Sequence, residues 1–522
     1  MVIKTYLSKK GYVLVKKHFS NDIIISVKKD LTATPLTQTP DCFGTINKSF
    51  PIYIETENNL YIPKQYGFKK FLTPDKILQN YYGDNIDSHT FNGLLHHAQI
   101  KAVDIMLDAC NSKGGGILHL TAGSGKTVCA INIISKLKKK TIIVVNKISL
   151  MKQWDDEIKH FLPSCKIGII QGSKNILIQN CDIIIVMLQS LSMIDYPESY
   201  FNDIGLVIFD ECHNIASKVF SKILFKLTSN FTIGLSATPF RSDGCEHVFK
   251  YHIGDIEHSA KIERQGLAPI IHSIKLNSNE YTQESKTYII KGVEKSILQF
   301  TTMISSLVQM NSRNILIKDL IIQCLQNTPS IDTPPRKILV LSERRNHLYD
   351  VKSLLEKENL NFTFGLFLGS MKIKDLDKAK TCNVILATFK SFSEGVSEKN
   401  LDTLILITPK KFTIQHSDGP KDSGKMEQTV GRIFRKNHTL YNPLIIDLED
   451  NFSIYKSHSY SRSVFYKQHF PNANFIKHSF ILDNYDHNSL PSLFLNFNLS
   501  PQIHNTKNII HDIKQDICLL LD

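Results

Sequence analysis

The sequence predicts an α/β protein built on two parallel sheets, each covered by helices on both faces, with a small β-containing unit ahead of them. Three observations predict it. Short apolar runs recur from Gly116, as GILHLTA, TIIVVN, KIGIIQG, DIIIVML, LVIFDE and FTIGLSAT, and a second series, KILVLS, NVILATF, TLILITP and PLIIDLE, begins near Lys337. Helix-capable stretches such as KTVCAINIISKLKKK and SLMKQWDDEIKHF lie between several of them. Continuous apolar strands alternating with helices are the signature of parallel sheets buried on both faces. Finally, 522 residues exceed one ordinary domain, at roughly 150 residues per unit.

Residues 1–88 read differently. YVLV, IIISV and PIYIE are short and β-like, broken by the polar stretch TATPLTQTPD, which suits a small accessory domain that packs against the rest or grips DNA. The first α/β lobe is expected over 89–255 and the second over 256–458. Residues 288–327 read as helical before the breaker NTPSIDTPPRK, and 459–522 read as a tail without a clear element.

Lys and Arg number 62 against 49 Asp and Glu, a net charge of +13, which suggests a polyanionic partner such as nucleic acid. No stretch approaches the ~18 apolar residues of a membrane span. Lysines interrupt the apolar residues of the start, MVIKTYLSKKGYVLVKK, so no signal-peptide core is read there. An intracellular, soluble protein without a membrane partner is expected. The ten cysteines form no CxxC pair, and no HExxH occurs. These absences argue against a zinc site, a disulfide framework and a metallohydrolase.

The run from Leu118 to Thr127 carries the sharpest chemistry. It follows a predicted strand and precedes a predicted helix, the context of a phosphate-binding loop. The loop comprises Thr121, Ala122, Gly123, Ser124, Gly125, Lys126 and Thr127. Gly123 and Gly125 let backbone N–H groups turn toward phosphate oxygens, and the helix N-terminus adds positive charge. Lys126 is placed to reach the β- and γ-phosphates of ATP, and Thr127 to bind Mg²⁺. The general GxxxxGK[ST] pattern has Gly where this chain has Leu120.

The run Leu206 to His213, LVIFDECH, is an apolar strand ending in two carboxylates and a histidine. Strand C-termini are where open α/β sheets bind ligands. Asp210 suits Mg²⁺, through water, and Glu211 suits orienting and deprotonating an attacking water. Thr388 closes another predicted strand at the same kind of edge and suits a phosphate-backbone contact. Lys138, Lys139 and Lys140 read as a solvated helix end, and Trp154 as core rather than a base-stacking platform.

With Asp210-Glu-Cys-His213 on the page, the chain resembles a superfamily 2 helicase with a DExH box. The resemblance extends in order through most of the chain, from about residue 91 to 450. FNGLLHHAQ, ending at Gln99, resembles the segment whose glutamine reads adenine. GLSATPFRSDG, with Ser236 and Thr238, is similar to the coupling motif, and His213 is implied to join it to the nucleotide site. TFKSFSEGV, from Thr388, is similar to the motif that touches nucleic acid and nucleotide. EQTVGRIFR resembles the arginine-finger motif, which implies nucleotide contact for Gln428 and finger roles for Arg432 and Arg435. GLSATPFRSDG, Gln153-Trp154 and LVLSERRNHL are similar to the branch that includes poxvirus-type transcript-release DNA helicases and bacteriophage branch-migration helicases. GSMK, from Gly369 to Lys372, and IIDLEDNFSIYKSHSYSRSVFY resemble the version in large DNA viruses.

This resemblance implies two RecA-like lobes, ATP and Mg²⁺ as cofactors, and nucleic acid as partner, DNA in preference to RNA. It further implies action in viral transcription beside a viral RNA polymerase or transcription factors, in the virion or host cytoplasm. A branch-migration translocase for repair or recombination and an RNA helicase are the alternative motors. A nucleic-acid-binding subunit with a vestigial ATP site is the alternative outside enzymes; it would lack Lys126, Glu211 or Arg435, and all three are present.

Overall fold

The computed structural model describes residues 2–36, 49–121, 123–172, 174–175, 180–241, 243–260, 267–290, 293–328, 332–369, 371–393, 398, 400–411, 424–436 and 438–485. Ala122, the Glu394 to Val396 part of the TFKSFSEGV motif and residues 486–522 lie outside them.

The N-terminal unit is a five-stranded sheet in the order Ile54–Glu55, Asn59–Ile62, Gly11–Val15, Thr5–Ser8, Lys76–Ile77. One expectation fails here. The IIISV run lies in a helix, Asn21–Asp30. Ile24 and Val27, three apart, are buried, while Ile23 and Ile25 are 41% and 63% exposed. That is one helical face. Asp22 in the first turn and Lys28 and Lys29 in the last suit the helix dipole.

A buried lysine joins this unit to the first lobe. Lys64, at the start of the helix Lys64–Phe71, donates from Nζ to the carbonyls of Gly114, Ser229 and Asn230 at 3.0, 3.0 and 3.1 Å. Gln65 Nε2 donates to Lys113 O at 2.8 Å. These carbonyls precede two central strands of the lobe, Gly115–Leu120 and Phe231–Ser236, so the unit docks at the sheet edge opposite the phosphate loop.

The two lobes share one topology. The first sheet runs Ile167–Gln171, Ile183–Met187, Thr141–Val145, Leu206–Asp210, Phe231–Ser236, Gly115–Leu120, Ile256–Ala260. The second runs Phe364–Phe367, Val384–Thr388, Ile338–Ser342, Thr403–Leu406, Leu444–Asp450, Ile270–Asn277, Asn474–Ile481. Numbered within each lobe, both read third, fourth, second, fifth, sixth, first, seventh, with every pair parallel. A two-residue strand, Lys174–Asn175, adds an antiparallel edge to the first. Thr141–Val145, Ile183–Met187, Ile338–Ser342 and Thr403–Leu406 are buried along their whole length, as the unbroken apolar runs require.

The seventh strands shift both expected limits of the second lobe. Ile256–Ala260 pairs with the phosphate-loop strand of the first lobe. The region expected to be a tail continues the helix Tyr455–His469 and supplies Asn474–Ile481, paired with Ile270–Asn277. The expected helical stretch 288–327 begins instead with the antiparallel pair Ser285–Ile290 and Val293–Leu298; helices Phe300–Leu307 and Asn311–Gln326 follow.

The IIDLEDNF segment anchors two of the second lobe's helices. Asp447 and Asp450 are buried on their strand. Asp447 accepts Arg462 Nε at 2.8–2.9 Å and the Tyr466 hydroxyl at 3.0 Å. Asp450 accepts Arg313 Nε and Nη2 at 2.9 and 3.0 Å and the Tyr281 hydroxyl at 2.9 Å. Pairing of this quality is what lets a charge sit in a core. The lysine run after the first lobe's Lys126–Leu137 helix is not all solvated. Lys140 is buried and ion-paired with Asp203.

Candidate active site

The phosphate loop bends where glycine permits it. Gly123 and Gly125 have φ of +83° and +78°, the left-handed region that residues with a Cβ rarely adopt. The loop then enters the helix Lys126–Leu137, whose first N–H groups have no partner within the helix. Lys126 Nζ donates back to Leu120 O at 3.0 Å and Thr121 O at 3.4 Å. The hydroxyls of Thr121 and Ser124 share a hydrogen bond of 2.5 Å. Thr127 follows, half-buried, on the helix's first turn.

Gln99 reaches this loop through its side-chain amide. Oε1 accepts His96 N–H at 3.0 Å, capping the helix His97–Lys113, and Nε2 donates to Ser124 O at 3.1 Å. Each end of the amide keeps a second hydrogen-bonding position, so these bonds orient the side chain and leave it able to meet an adenine edge. A Cβ on Gly125 would stand 2.3 Å from Gln99 Nε2, so the glycine is needed for this approach as well as for the turn.

The strand Leu206–Asp210 lies one strand away from the phosphate-loop strand across Phe231–Ser236. Its register brings Asp210 to the same sheet edge. Asp210 Oδ2 accepts the Trp154 indole N–H at 2.9 Å and Oδ1 accepts Glu211 N–H at 3.0 Å. Burial, then the neighbouring Glu211 charge, pushes the Asp210 pKa up to about 6. Glu211 takes φ of +48°, a strained setting for a residue with a side chain and one that clusters at functional sites. Its Oε2 is buried with no hydrogen-bond partner and lies 3.4 Å from His213 Nδ1. His213 Nδ1 shares a 2.9 Å hydrogen bond with Ser236 Oγ, which accepts Thr238 N–H at 3.0 Å. Glu211, His213, Ser236 and Thr238 therefore form one connected chain.

This donor set suits Mg²⁺. A carboxylate and a hydroxyl are the hard oxygens it takes, and the Asp210–Glu211 repulsion is what a cation would relieve. Asp210 and Thr127 would be the residues to hold it.

The second lobe brings two arginines to this edge. Arg432 lies in the 3-10 turn Gly431–Phe434 that follows the helix Gly424–Val430, and Arg435 closes it. Both are buried. The Arg432 guanidinium lies over the Phe392 ring, 5.7 Å from its centroid. Burial, then the Arg435 charge, lowers its pKa, while Glu211 across the cleft acts in the opposite sense. Burial lowers the Arg435 pKa too, opposed by Glu157 of the first lobe and Glu398 of its own. Arg435 Cγ is 3.6 Å from the position a Cβ on Gly123 would take. Gln428 stands half-buried on the preceding helix. Thr388 ends its strand as expected, with its hydroxyl bonded to Ser391 Oγ at 2.6 Å and accepting Ser391 N–H at 3.2 Å. It caps the short helix Phe389–Ser393, a duty that a backbone contact would share.

Two residues were not singled out for this site from the sequence. Trp154, read as core, is 1% exposed and also holds Asp210. Arg241 donates from Nη1 to His213 O at 2.6 Å and pairs with Asp243, tying the Ser236/Thr238 segment back to the DECH box. Their signals were present in the QW pair and the GLSATPFRSDG run, but only tertiary structure reveals the contacts.

Residues 92–241 match the family described as type III restriction enzyme, res subunit. A mimivirus protein provisionally named an ATP-dependent RNA helicase is 30% identical over 469 residues, covering 89% of this chain and 86% of its own. An African swine fever virus protein with the same provisional name is 27% identical over 373 residues, covering 67% and 68%. A protein of invertebrate iridescent virus 6 provisionally named a helicase is 27% identical over 404 residues, covering 73% and 83%. The DNA-bound ATP-dependent type ISP restriction-modification enzyme LlaBIII shares the fold with a TM-score of 0.50 at 14% identity. That match covers 77% of this chain and 32% of that enzyme, so this chain spans about a third of it. No helix among the described residues is long and apolar enough to cross a membrane. With its DECH box, phosphate loop and paired α/β lobes, the chain belongs to the ATP-dependent superfamily 2 helicases of large DNA viruses.

Proposed function

We propose that this helicase runs on DNA and frees nascent RNA from stalled transcription complexes of its virus. The observation that carries the motor reading is the approach of Arg432 to Glu211 and of Arg435 to Gly123 across the cleft. Lys126 leaves its loop carbonyls to meet the β- and γ-phosphates of ATP. Asp210 and Thr127 would hold Mg²⁺, which when bound would supply positive charge against those phosphates. Glu211 accepts the proton of the attacking water, its unpartnered Oε2 being the available base. Arg432 and Arg435 stabilise charge that builds on the transferring phosphoryl group. Gln99 supports the loop, and Gln428 borders the nucleotide.

ATP thus bridges the lobes, and its hydrolysis lets them part. The chain Glu211–His213–Ser236–Thr238, clamped by Arg241, carries that change toward the nucleic-acid contacts, Thr388 among them. The +13 charge supports a phosphate-directed, sequence-tolerant grip. The docked N-terminal unit is the adaptor to DNA or polymerase, and the virion or host cytoplasm is where the protein acts. The provisional names of the mimivirus and African swine fever virus relatives favour a second reading, an RNA track.

ATPase rates with single-stranded DNA, duplex DNA, RNA and no nucleic acid separate the tracks. Stalled complexes on immobilised templates then test the process. Wild type should release RNA with ATP and Lys126→Ala should not. Release absent while DNA-stimulated ATPase is intact removes the transcription role, and strongest stimulation by RNA replaces the DNA track.

A further inference from the structure

Far from the nucleotide cleft, three side chains from distant parts of the sequence converge. The segment after the N-terminal unit crosses the first lobe along the edge where its strands begin. Asn85 bridges to Lys139, Asn92 N–H donates to Phe161 O at 2.8 Å, and the Phe91 and Phe161 rings stack at 5.1 Å. Between these contacts lies His89. A ring nitrogen of His89, the Cys165 thiol and an Asp182 carboxylate oxygen all lie within 4.8 Å of one another. Cys165 sits in the turn before the strand Ile167–Gln171, and Asp182 immediately precedes Ile183–Met187.

Two of the three members are oriented by hydrogen bonds. His89 Nδ1 shares a 2.8 Å hydrogen bond with Ser164 Oγ, which leaves Nε2 for the cluster. That side chain is only 7% exposed, and Nε2 is buried without a hydrogen-bond partner. Asp182 Oδ2 accepts Lys166 N–H at 2.8 Å. Such outer hydrogen bonds are the usual support of metal-binding histidine and carboxylate. The Nε2 to Oδ2 distance is 3.4 Å, and two ligands on a tetrahedral zinc stand ~3.3 Å apart by the usual bond lengths. Burial, with the Asp182 charge, pushes the Cys165 thiol up to about 12, so it is neutral until a cation displaces its proton.

We propose that His89, Cys165 and Asp182 bind one Zn²⁺, with water completing the tetrahedron. Imidazole and thiolate favour zinc over Mg²⁺ or Ca²⁺, so this site is chemically separate from the all-oxygen pair Asp210 and Thr127. Binding releases the Cys165 proton to solvent and forms a zinc–sulfur bond, with no change of oxidation state. The ion staples the segment around His89 to two strand starts of the first lobe and fixes the path from the N-terminal unit. Sequence spacing hides it, because the ligands form no local motif.

The test uses the full chain, stripped of metal and titrated with Co²⁺. One equivalent should produce tetrahedral ligand-field bands and a thiolate-to-cobalt charge-transfer band, both bleached by one equivalent of Zn²⁺. Cys165→Ser keeps the side-chain volume and should abolish the charge-transfer band while leaving ATP turnover intact. His89→Ala should lower the affinity for Co²⁺ at least ten-fold. A chelator should lower the Tm of the zinc-loaded wild type and leave Cys165→Ser unmoved. Absence of the charge-transfer band in folded, ATPase-active wild type, or its persistence in Cys165→Ser, overturns the site and leaves a His89–Asp182 ion pair.

Discussion

The indole N–H of Trp154 donates to Asp210 Oδ2 at 2.9 Å and, with Glu211 N–H on Oδ1, fixes the carboxylate that faces the phosphate loop. The helix Ile148–Phe161 thereby sets the orientation of a residue in the acidic strand. Trp154→Phe keeps the buried ring and deletes the donor. A hydrogen bond to a charged group contributes ~1.5–3 kcal/mol, so ATPase measured against Mg²⁺ should show a ten-fold or greater rise in the half-saturating Mg²⁺ concentration. Tm should move far less than for Trp154→Ala. An unchanged Mg²⁺ dependence would make Trp154 a packing residue only.

Glu211→Gln should bind ATP and fail to hydrolyse it, because the amide cannot take the proton from water. Arg435→Ala should lose on the order of 10³-fold in kcat while keeping nucleotide affinity, since a finger acts in the transition state. Fluorescent-nucleotide binding beside steady-state turnover separates the two effects. An equal loss of affinity and turnover in Arg435→Ala would assign the residue to ground-state binding.

Lys64→Met should undock the N-terminal unit. It leaves the Gly114, Ser229 and Asn230 carbonyls without their shared donor. Gly114 O keeps the Thr232 N–H and Asn230 O the Tyr81 hydroxyl, so Ser229 O is the carbonyl left orphaned, and a loss of ~1–3 kcal/mol follows. Lys69, on the same helix, makes an exposed ion pair with Asp255, and Lys69→Met should cost under ~1 kcal/mol. Denaturant unfolding and limited proteolysis check both; equal effects would show that the three-carbonyl cage is not special.

Stability should fall as pH drops below neutrality. Burial lowers the pKa of His252 and of His347 to about 3, against ~6.5 in the unfolded chain. Between those values the unfolded chain binds protons the folded one refuses. The stabilisation is therefore fully present above pH 6.5 and lost progressively as pH falls toward 3, at ~1.4 kcal/mol per pH unit for each group. His252 stands edge-on to Phe225 with Nε2 unpartnered, so His252→Phe should flatten the slope of urea stability against pH by one group's share. An unchanged slope would mean that His252 charges in place.

The lobe cores were legible because strands buried on both faces must be apolar without interruption, as Ile183–Met187 and Ile338–Ser342 are. The seventh strands were not. Asn474–Ile481 alternates exposed and half-buried positions at a sheet edge, and Ile256–Ala260 is nowhere fully buried. IIISV misled because β-branched residues favour strands until a helical face buries two of them. The loop and DECH box could be read because their chemistry is local. The contacts of Trp154 and Arg241 and the Gln99 bond to Ser124 depend on partners far along the chain.

The shared strand order has a consequence for how the protein is made. In the second lobe the first strand, Ile270–Asn277, ends between Leu444–Asp450 and Asn474–Ile481. Both neighbours leave the ribosome long after it, roughly eight to forty seconds later at ~5–20 residues per second. Throughout that interval IIHSIKLN is a strand with two bare edges, the kind of segment that pairs with the wrong chain. Its His272, Ser273 and Lys275 break the apolar run and limit that hazard. A ribosome that stops before residue 474 leaves one of those edges permanently open.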